Sequence, residues 1–205
     1  MKHTYHIFLT IALSILCFAS GILLVKYSVD TAIATRIASE VVRLHVIANS
    51  NSAEDQAVKL QVKEALTQAL EEVSIASKEE MVSYVSSHLE ELNQLAKNTL
   101  LSNAFSYATS CELTTSYFPQ KTYGDLTFPP GDYLALRVVL GEGAGKNWWC
   151  VLYPPLCFID ITTGVVSDES KDALAEVLDD ADYDALTQKP TLFRFRLWEQ
   201  LKEWF

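Results

Sequence analysis

The chain has 205 residues, of which 49% are hydrophobic, 20% charged and 11% aromatic, with seven Gly and six Pro. That content excludes a disordered or collagen-like chain and fits one domain with an added segment. Sixteen Lys and Arg against 26 Asp and Glu give a net charge of −10, so there is no basic field to collect phosphates, and nucleic acid is not expected as a partner.

The first element is Ile7 to Val25, an uncharged run of 19 residues between Lys2 and Lys26. As a helix it spans roughly 28 Å, close to the hydrocarbon thickness of a bilayer. Residues 1–26 are read as a signal peptide or a transmembrane anchor. Ala19-Ser20-Gly21 offers small residues for cleavage, but apolar residues continue to Val25. Cys17 follows Leu16, which is too large for a lipobox. The run lacks the polar face of a buried core helix. Everything from about residue 27 is expected outside the cytoplasm. Without Lys2 and Lys26 that part holds 14 basic residues against 26 acids, a charge of −12. Such a domain should not cling to anionic headgroups.

Residues 27–40 read as a helical or stalk-like connector, and 41–205 as the extracytoplasmic domain. Val41 to Ala48 is β-branched and alternating. Val42, Leu44, Val46 and Ala48 form one apolar face, and Val41, Arg43, His45 and Ile47 a mixed one. Asn49-Ser50-Asn51-Ser52 breaks the strand. Ser52 stands three residues before Asp55, a helix-capping spacing, and Glu54 and Asp55 suit the helix dipole. Val58, Val62, Leu66, Ala69 and Val73 continue at helical spacing. The polar groups from Asn49 to Gln56 are expected to cap this helix and to face the surface. A second helix is expected from Ser77, with Glu80 completing a capping box, through a stripe from Val82 to Leu100.

Phe105, Tyr107, Cys111, Leu113 and Tyr117 alternate as a long strand. Phe118 to Pro130, with three Pro and one Gly, reads as a loop. Tyr133–Leu140 and Trp148–Tyr153 are strands around a glycine-rich hairpin turn, Gly141 to Asn147. Leu156–Thr162 is a further short strand, and Ser167 caps a helix through Leu178. Asp179 and Asp180 are read as solvated turn residues. Alternation returns at Phe193, Phe195 and Leu197 before helical spacing at Trp198, Leu201 and Phe205. The fold class is α+β: two helices on a mixed or antiparallel sheet of four to six strands, behind one hydrophobic helix.

No catalytic constellation emerges. His45 and His88 lack a second ligand at zinc spacing. Gly141-Glu142-Gly143-Ala144-Gly145-Lys146 fails as a phosphate loop because Leu140 holds the first glycine position and Asn147 replaces Ser or Thr. No G-x-S-x-G is present. No metal, cofactor or small-molecule substrate is therefore expected. Cys150 and Cys157 flank Pro154-Pro155, and in an oxidising compartment they are expected to pair, with Cys111 left as a buried thiol. Pairing of Cys111 with either is the competing arrangement. Trp148-Trp149 places two indoles on opposite faces of one strand, one for the core and one exposed as a protein contact, against the alternative that both are packed.

Two segments carry a resemblance. Arg43-Leu44-His45-Val46-Ile47-Ala48-Asn49-Ser50-Asn51-Ser52-Ala53-Glu54-Asp55-Gln56, with Lys59 and Val62, resembles the first signature of the stage II sporulation protein R family. Gly141-Glu142-Gly143, then Asn147-Trp148-Trp149-Cys150-Val151-Leu152-Tyr153-Pro154-Pro155-Leu156-Cys157-Phe158, resembles its second. Cys111 is outside that pattern. The resemblance implies a protein made in the forespore and exported towards the space between forespore and mother cell. There it would activate a membrane-embedded aspartic protease, which cleaves the precursor of a mother-cell sigma factor. It implies an activator and no enzyme. The residues expected to face the partner are Arg43, His45, Asn49, Asp55, Gln56, Asn147, Trp148, Trp149 and Tyr153. An extracytoplasmic wall enzyme using His45 with Asp55 or Glu54, and a structural protein of the septum, are the alternative classes.

Overall fold

The computed structural model describes residues 2–157 and 166–187. Helix α1 (Lys2–Glu40) is continuous from the hydrophobic run through the connector. Its apolar side chains from Ile11 to Val29 stand exposed, Phe18 at 72%. An 18-residue window within Leu13–Glu40 reaches a mean hydropathy of 1.6, long and apolar enough to cross a membrane or to serve as a signal segment. The last turns pack on the domain. Ile37 is fully buried, Ile33 and Ala38 lie against the same core, and Arg36 forms a two-point ion pair with Asp182, Nε to Oδ2 at 2.8 Å and Nη2 to Oδ1 at 2.5 Å. The connector is thus partly built into the domain.

One residue after α1 the chain enters β1 (Val42–Ile47). Helices α2 (Ala53–Glu71), α3 (Lys78–Ser87) and α4 (Leu89–Ser102) follow. The Ser52 hydroxyl caps α2 by accepting the Asp55 N–H at 3.1 Å, and Ser77 caps α3 through the Glu80 N–H at 3.1 Å. Glu80 reaches back to the Ala76 N–H at 2.8 Å, one residue beyond the reciprocal capping box expected. The single helix expected from Ser77 to Leu100 is two: His88 leaves the helical region (φ −116°, ψ 17°) and ends α3. The apolar stripe survives the break, since Val85, Leu92, Ala96 and Leu100 all remain buried.

The strands that follow are β2 (Thr109–Phe118), β3 (Lys121–Tyr123), β4 (Leu126–Phe128), β5 (Gly131–Leu140) and β6 (Asn147–Tyr153). The main sheet has the order β2-β5-β1-β6, and β3 and β4 form a separate hairpin where a loop was expected. β1 runs parallel to β5 and antiparallel to β6. β5 and β6 therefore do not pair, and the glycine-rich connection is no hairpin turn: it steps over the end of β1. Sequence alternation reports which face a residue takes, not which strand lies beside it. In β2 the expected phase holds at Cys111 and Leu113, which pack on the core, and reverses at its end, where Tyr117 is exposed and Phe118 buried.

Helices α5 (Asp168–Val177) and α6 (Asp180–Thr187) complete the described chain. Ser167 caps α5 as expected, accepting the Ser170 N–H at 3.2 Å. Asp179 and Asp180 are exposed, as expected, but they begin a helix rather than a turn. Asp179 accepts the Asp182 N–H at 2.8 Å and starts α6. The acids of its first turn suit the helix dipole. The strand expected at Leu156–Thr162 lies largely outside the described residues, as does the pattern from Phe193 to Phe205.

The fold is α+β in three layers. On one sheet face Val42, Leu44, Val46, Leu136 and Val138 pack under α2–α4. On the other, Tyr133, Ala135 and Val151 pack with Ile37, the β3–β4 hairpin, α5 and α6. Coverage of both faces explains why β1 is buried from Val42 to Val46, including its polar residues.

Candidate functional site

The two signature segments meet in one corner. The connection Gly141–Lys146 lies on the end of β1 and the start of α2. The Gly145 N–H donates to Ala48 O at 2.9 Å and the Ala144 N–H to Asn49 O at 3.1 Å. Asn49 Oδ1 accepts the Glu142 N–H at 2.9 Å, and Asn51 Oδ1 accepts the Lys146 N–H at 2.8 Å. The glycines follow from this closeness. A Cβ on Gly145 would sit 2.1 Å from Ser50 O, and Gly141 has φ +57° with Asn49 equally near.

Asp55 is the hub on the helix side and is only 6% exposed. Its Oδ2 accepts from Ser50 Oγ at 2.5 Å and Asn49 Nδ2 at 2.8 Å, and its Oδ1 from the Tyr107 hydroxyl at 3.0 Å. These donors, Ser50 foremost, hold the carboxyl below the usual carboxylate range. Gln56 donates to Ser50 O at 2.8 Å and accepts from Lys59 Nζ at 2.7 Å, while Lys59 also reaches Lys146 O at 3.1 Å. Asn49, Asp55 and Gln56 thus use their polar atoms as staples within the fold. Their expected exposure fits only in part: Asp55 is buried, and Asn49 and Gln56 are half-buried.

Arg43 is fully buried. Its guanidinium carbon lies 4.2 Å from the ring centre of Phe118, 4.8 Å from Tyr133, 5.3 Å from Phe128 and 5.9 Å from Tyr123. Nη2 donates to the Tyr123 hydroxyl at 2.6 Å, which donates on to Trp149 O at 2.9 Å, and Nε reaches Cys150 O at 3.3 Å. Among the described residues no carboxylate pairs with it and Nη1 has no hydrogen-bond partner, so the aromatic faces, the Tyr123 hydroxyl and the Cys150 carbonyl compensate the buried charge. Burial pulls its pKa below the ordinary value, opposed by Tyr123 and Tyr133. In this position Arg43 offers nothing to an outside partner. Neither composition nor spacing signals the cage, because its four rings come from positions 75 to 90 residues downstream.

His45 stacks on Trp149 with ring centres 3.8 Å apart and planes 19° apart. Nε2 is 2.8 Å from Asn147 Oδ1, to which it donates as the neutral ring. Burial, foremost, pushes its pKa down to about 4, and the charges of Arg137 and Arg43 add to this. His45 is 7% exposed. Among the described residues no hydrogen bond joins it to Asp55, whose partners lie in the corner. A wall-enzyme pairing of His45 with Asp55 therefore finds no support in the geometry.

Asn147 is exposed, and Trp148 and Trp149 are both half-buried, where one core and one exposed indole were expected. Trp149 packs on Phe118 as well as His45, and Trp148 lies beneath Lys63, whose Nζ is 5.5 Å from the ring centre. Tyr153, at the far end of β6, donates to Ala76 O at 3.0 Å. Cys150 and Cys157 are joined as a disulfide with Cα atoms 5.3 Å apart, and Cys111 is a free thiol. Among the described residues no group of three His, Cys, Asp or Glu is placed to hold a metal ion.

Fold and site together define a helix-led α+β domain. Its ionisable motif residues hold one edge of the sheet in shape, and β6 is the strand they present. The family model described as stage II sporulation protein R matches residues 38–163, and the chain belongs to that family. Stage II sporulation protein R of Bacillus subtilis strain 168 is 36% identical over 138 residues, covering 66% of this chain and 62% of the relative. No solved structure matches the fold. The match spans somewhat under two thirds of that relative's length.

Proposed function

We propose that the chain is a sporulation signal that acts outside the cytoplasm, in the space between forespore and mother cell. It docks on a membrane-embedded aspartic protease and switches it on, and the protease then cleaves the precursor of a mother-cell sigma factor. Family membership over residues 38–163 carries this reading. Two structural features support it. An apolar helix runs into the sheet through a single residue, Val41, which would hold an anchored domain close to a membrane. The motif residues that suit acid–base work, His45 and Asp55, are engaged by Asn147 and by the Asn49–Ser50–Tyr107 set.

In this reading the docking strand is β6, with Asn147, Trp148 and Trp149 as contacts and the stapled glycine connection as their rigid support. Large aromatic side chains supply much of the energy at protein interfaces. The test is to co-express the full chain, the protease and the sigma-factor precursor in a non-sporulating cell and follow the precursor by immunoblot. Cleavage that requires this chain is expected. Cleavage independent of it, or none in its presence, overturns the reading.

A further inference from the structure

At the other end of β6 a groove of about 310 Å³ opens between the end of α2, the following loop and the start of α5. Its floor and walls include Leu70, Val73, Ile75, Leu152, Tyr153 and Pro155, with the disulfide at Cys157 on one side. Tyr153 fixes one wall through its bond to Ala76 O. The groove adjoins the exit of α1. Tyr153 pairs with Val42, two residues beyond Glu40, and Lys78 Nζ donates to Ser39 O.

The rim is acidic. Glu71 and Glu169 line the groove and are exposed. Glu40, Glu79, Glu80 and Glu176 bear on the Tyr153 hydroxyl, which burial first and then these carboxylates push above its ordinary pKa. Among the described residues none of the six has a Lys or Arg partner. The nearby cations are engaged elsewhere, Lys171 with Asp125 and Lys78 with the α1 backbone. An apolar slot within unpaired negative charge disfavours anionic lipid and acidic peptides, and it favours a cationic segment with an apolar anchor.

We propose that this groove receives an apolar side chain from a lysine- or arginine-bearing extracytoplasmic segment of the membrane partner. This rests on the activator reading above and names the chemistry of the contact. The groove lies beside the C-terminal end of α1, on the domain that this helix leads into. Charge on its rim would speed encounter, and the slot would fix the register.

The test uses the full chain in neutral maltoside micelles and two probes: the purified protease, and a synthetic peptide of alternating leucine and lysine. Wild type is expected to bind both, less tightly as salt rises. The double variant Glu71→Lys/Glu169→Lys should weaken both roughly tenfold or more, with Glu91→Lys on α4 as an unaffected control. The isosteric pair Glu71→Gln/Glu169→Gln, which preserves shape, should give a smaller loss in the same direction at an unchanged melting temperature. Equal binding by wild type and both double variants overturns the proposal, as does preference for an acidic counterpart peptide. If the lysine–leucine peptide binds through the groove but the protease does not bind wild type, the activator reading fails while the groove chemistry stands.

Discussion

Asn49 Oδ1 accepts the Glu142 N–H at 2.9 Å while Asn49 Nδ2 donates to Asp55 Oδ2 at 2.8 Å, so one side chain ties the glycine connection to the start of α2. This places a short polar motif and a glycine-rich motif, some 90 residues apart in the chain, in one structural unit. Substitutions there should register first as stability. Asn49→Ala removes both bonds and leaves Asp55 with one donor fewer, a loss of about 1–3 kcal/mol in chemical denaturation. Ser52→Ala, which removes only the cap, should cost about 1 kcal/mol. Gly145→Ala forces a Cβ against the Ser50 carbonyl and should cost more than either. A melting curve for Gly145→Ala equal to wild type would show that the corner yields freely.

Two titrations should be separable in the pH dependence of stability. His45 has a folded pKa of about 4 against an ordinary 6.5, so between these values the unfolded chain binds more protons. Its contribution is complete above pH 6.5 and is lost as pH falls towards 4, on the order of 3 kcal/mol in total. Asp55, also held low, contributes above the usual carboxylate range and is lost only at more acid pH. Urea unfolding from pH 7 to pH 4 should show the His45 slope, and His45→Phe should flatten it. An unchanged slope in His45→Phe assigns the proton uptake to another group.

The cysteines give a covalent check. Peptide mapping of the non-reduced protein should recover Cys150 linked to Cys157, with Cys111 free. The closed loop is short, so Cys150→Ser with Cys157→Ser should cost about 2–3 kcal/mol on the chain-entropy account. Cys111 should react slowly with thiol reagents near neutral pH, because burial, with Glu90 nearby, pushes its pKa up to about 12. Recovery of Cys111 in a disulfide would reassign the pairing.

What could be read from the sequence divides along physical lines. Local signals were enough for the caps: Ser52, Ser77 and Ser167 each start a helix. Alternation in β1 assigned Val42, Leu44 and Val46 to the helix face, but left Arg43 and His45 on a face that looked half-polar. They are buried because elements far along the chain close over that face, and a guanidinium packed among four distant rings leaves no periodic trace. The β3–β4 hairpin was hidden by its Pro and Gly neighbours, and α6 by acids that read as a turn until their place in a first helical turn is known. The groove at Tyr153 needed the topology, since its walls come from β6 and from helices on both sides of the sheet.

The tryptophans allow docking to be distinguished from folding. Both are half-buried, so truncation to alanine should destabilise each variant, by up to about 3–5 kcal/mol for a ring that is largely core. Phenylalanine is the more informative replacement. The Trp148 Nε1–H is buried and, among the described residues, without a hydrogen-bond partner. Trp148→Phe therefore gives up some packing but removes an unsatisfied donor, and its melt should stay close to wild type. Trp149→Phe keeps a ring against His45 and Phe118 and should also fold. If β6 is the docking strand, at least one of these folded variants should activate the protease less. A lost 1–2 kcal/mol of contact lowers affinity roughly 5- to 30-fold, visible when the signal is limiting. The assay is precursor cleavage at several expression levels, alongside the melting temperature of each variant. Normal signalling by both folded variants would place the contact elsewhere, with the acidic groove at the Tyr153 end as the surface left to test.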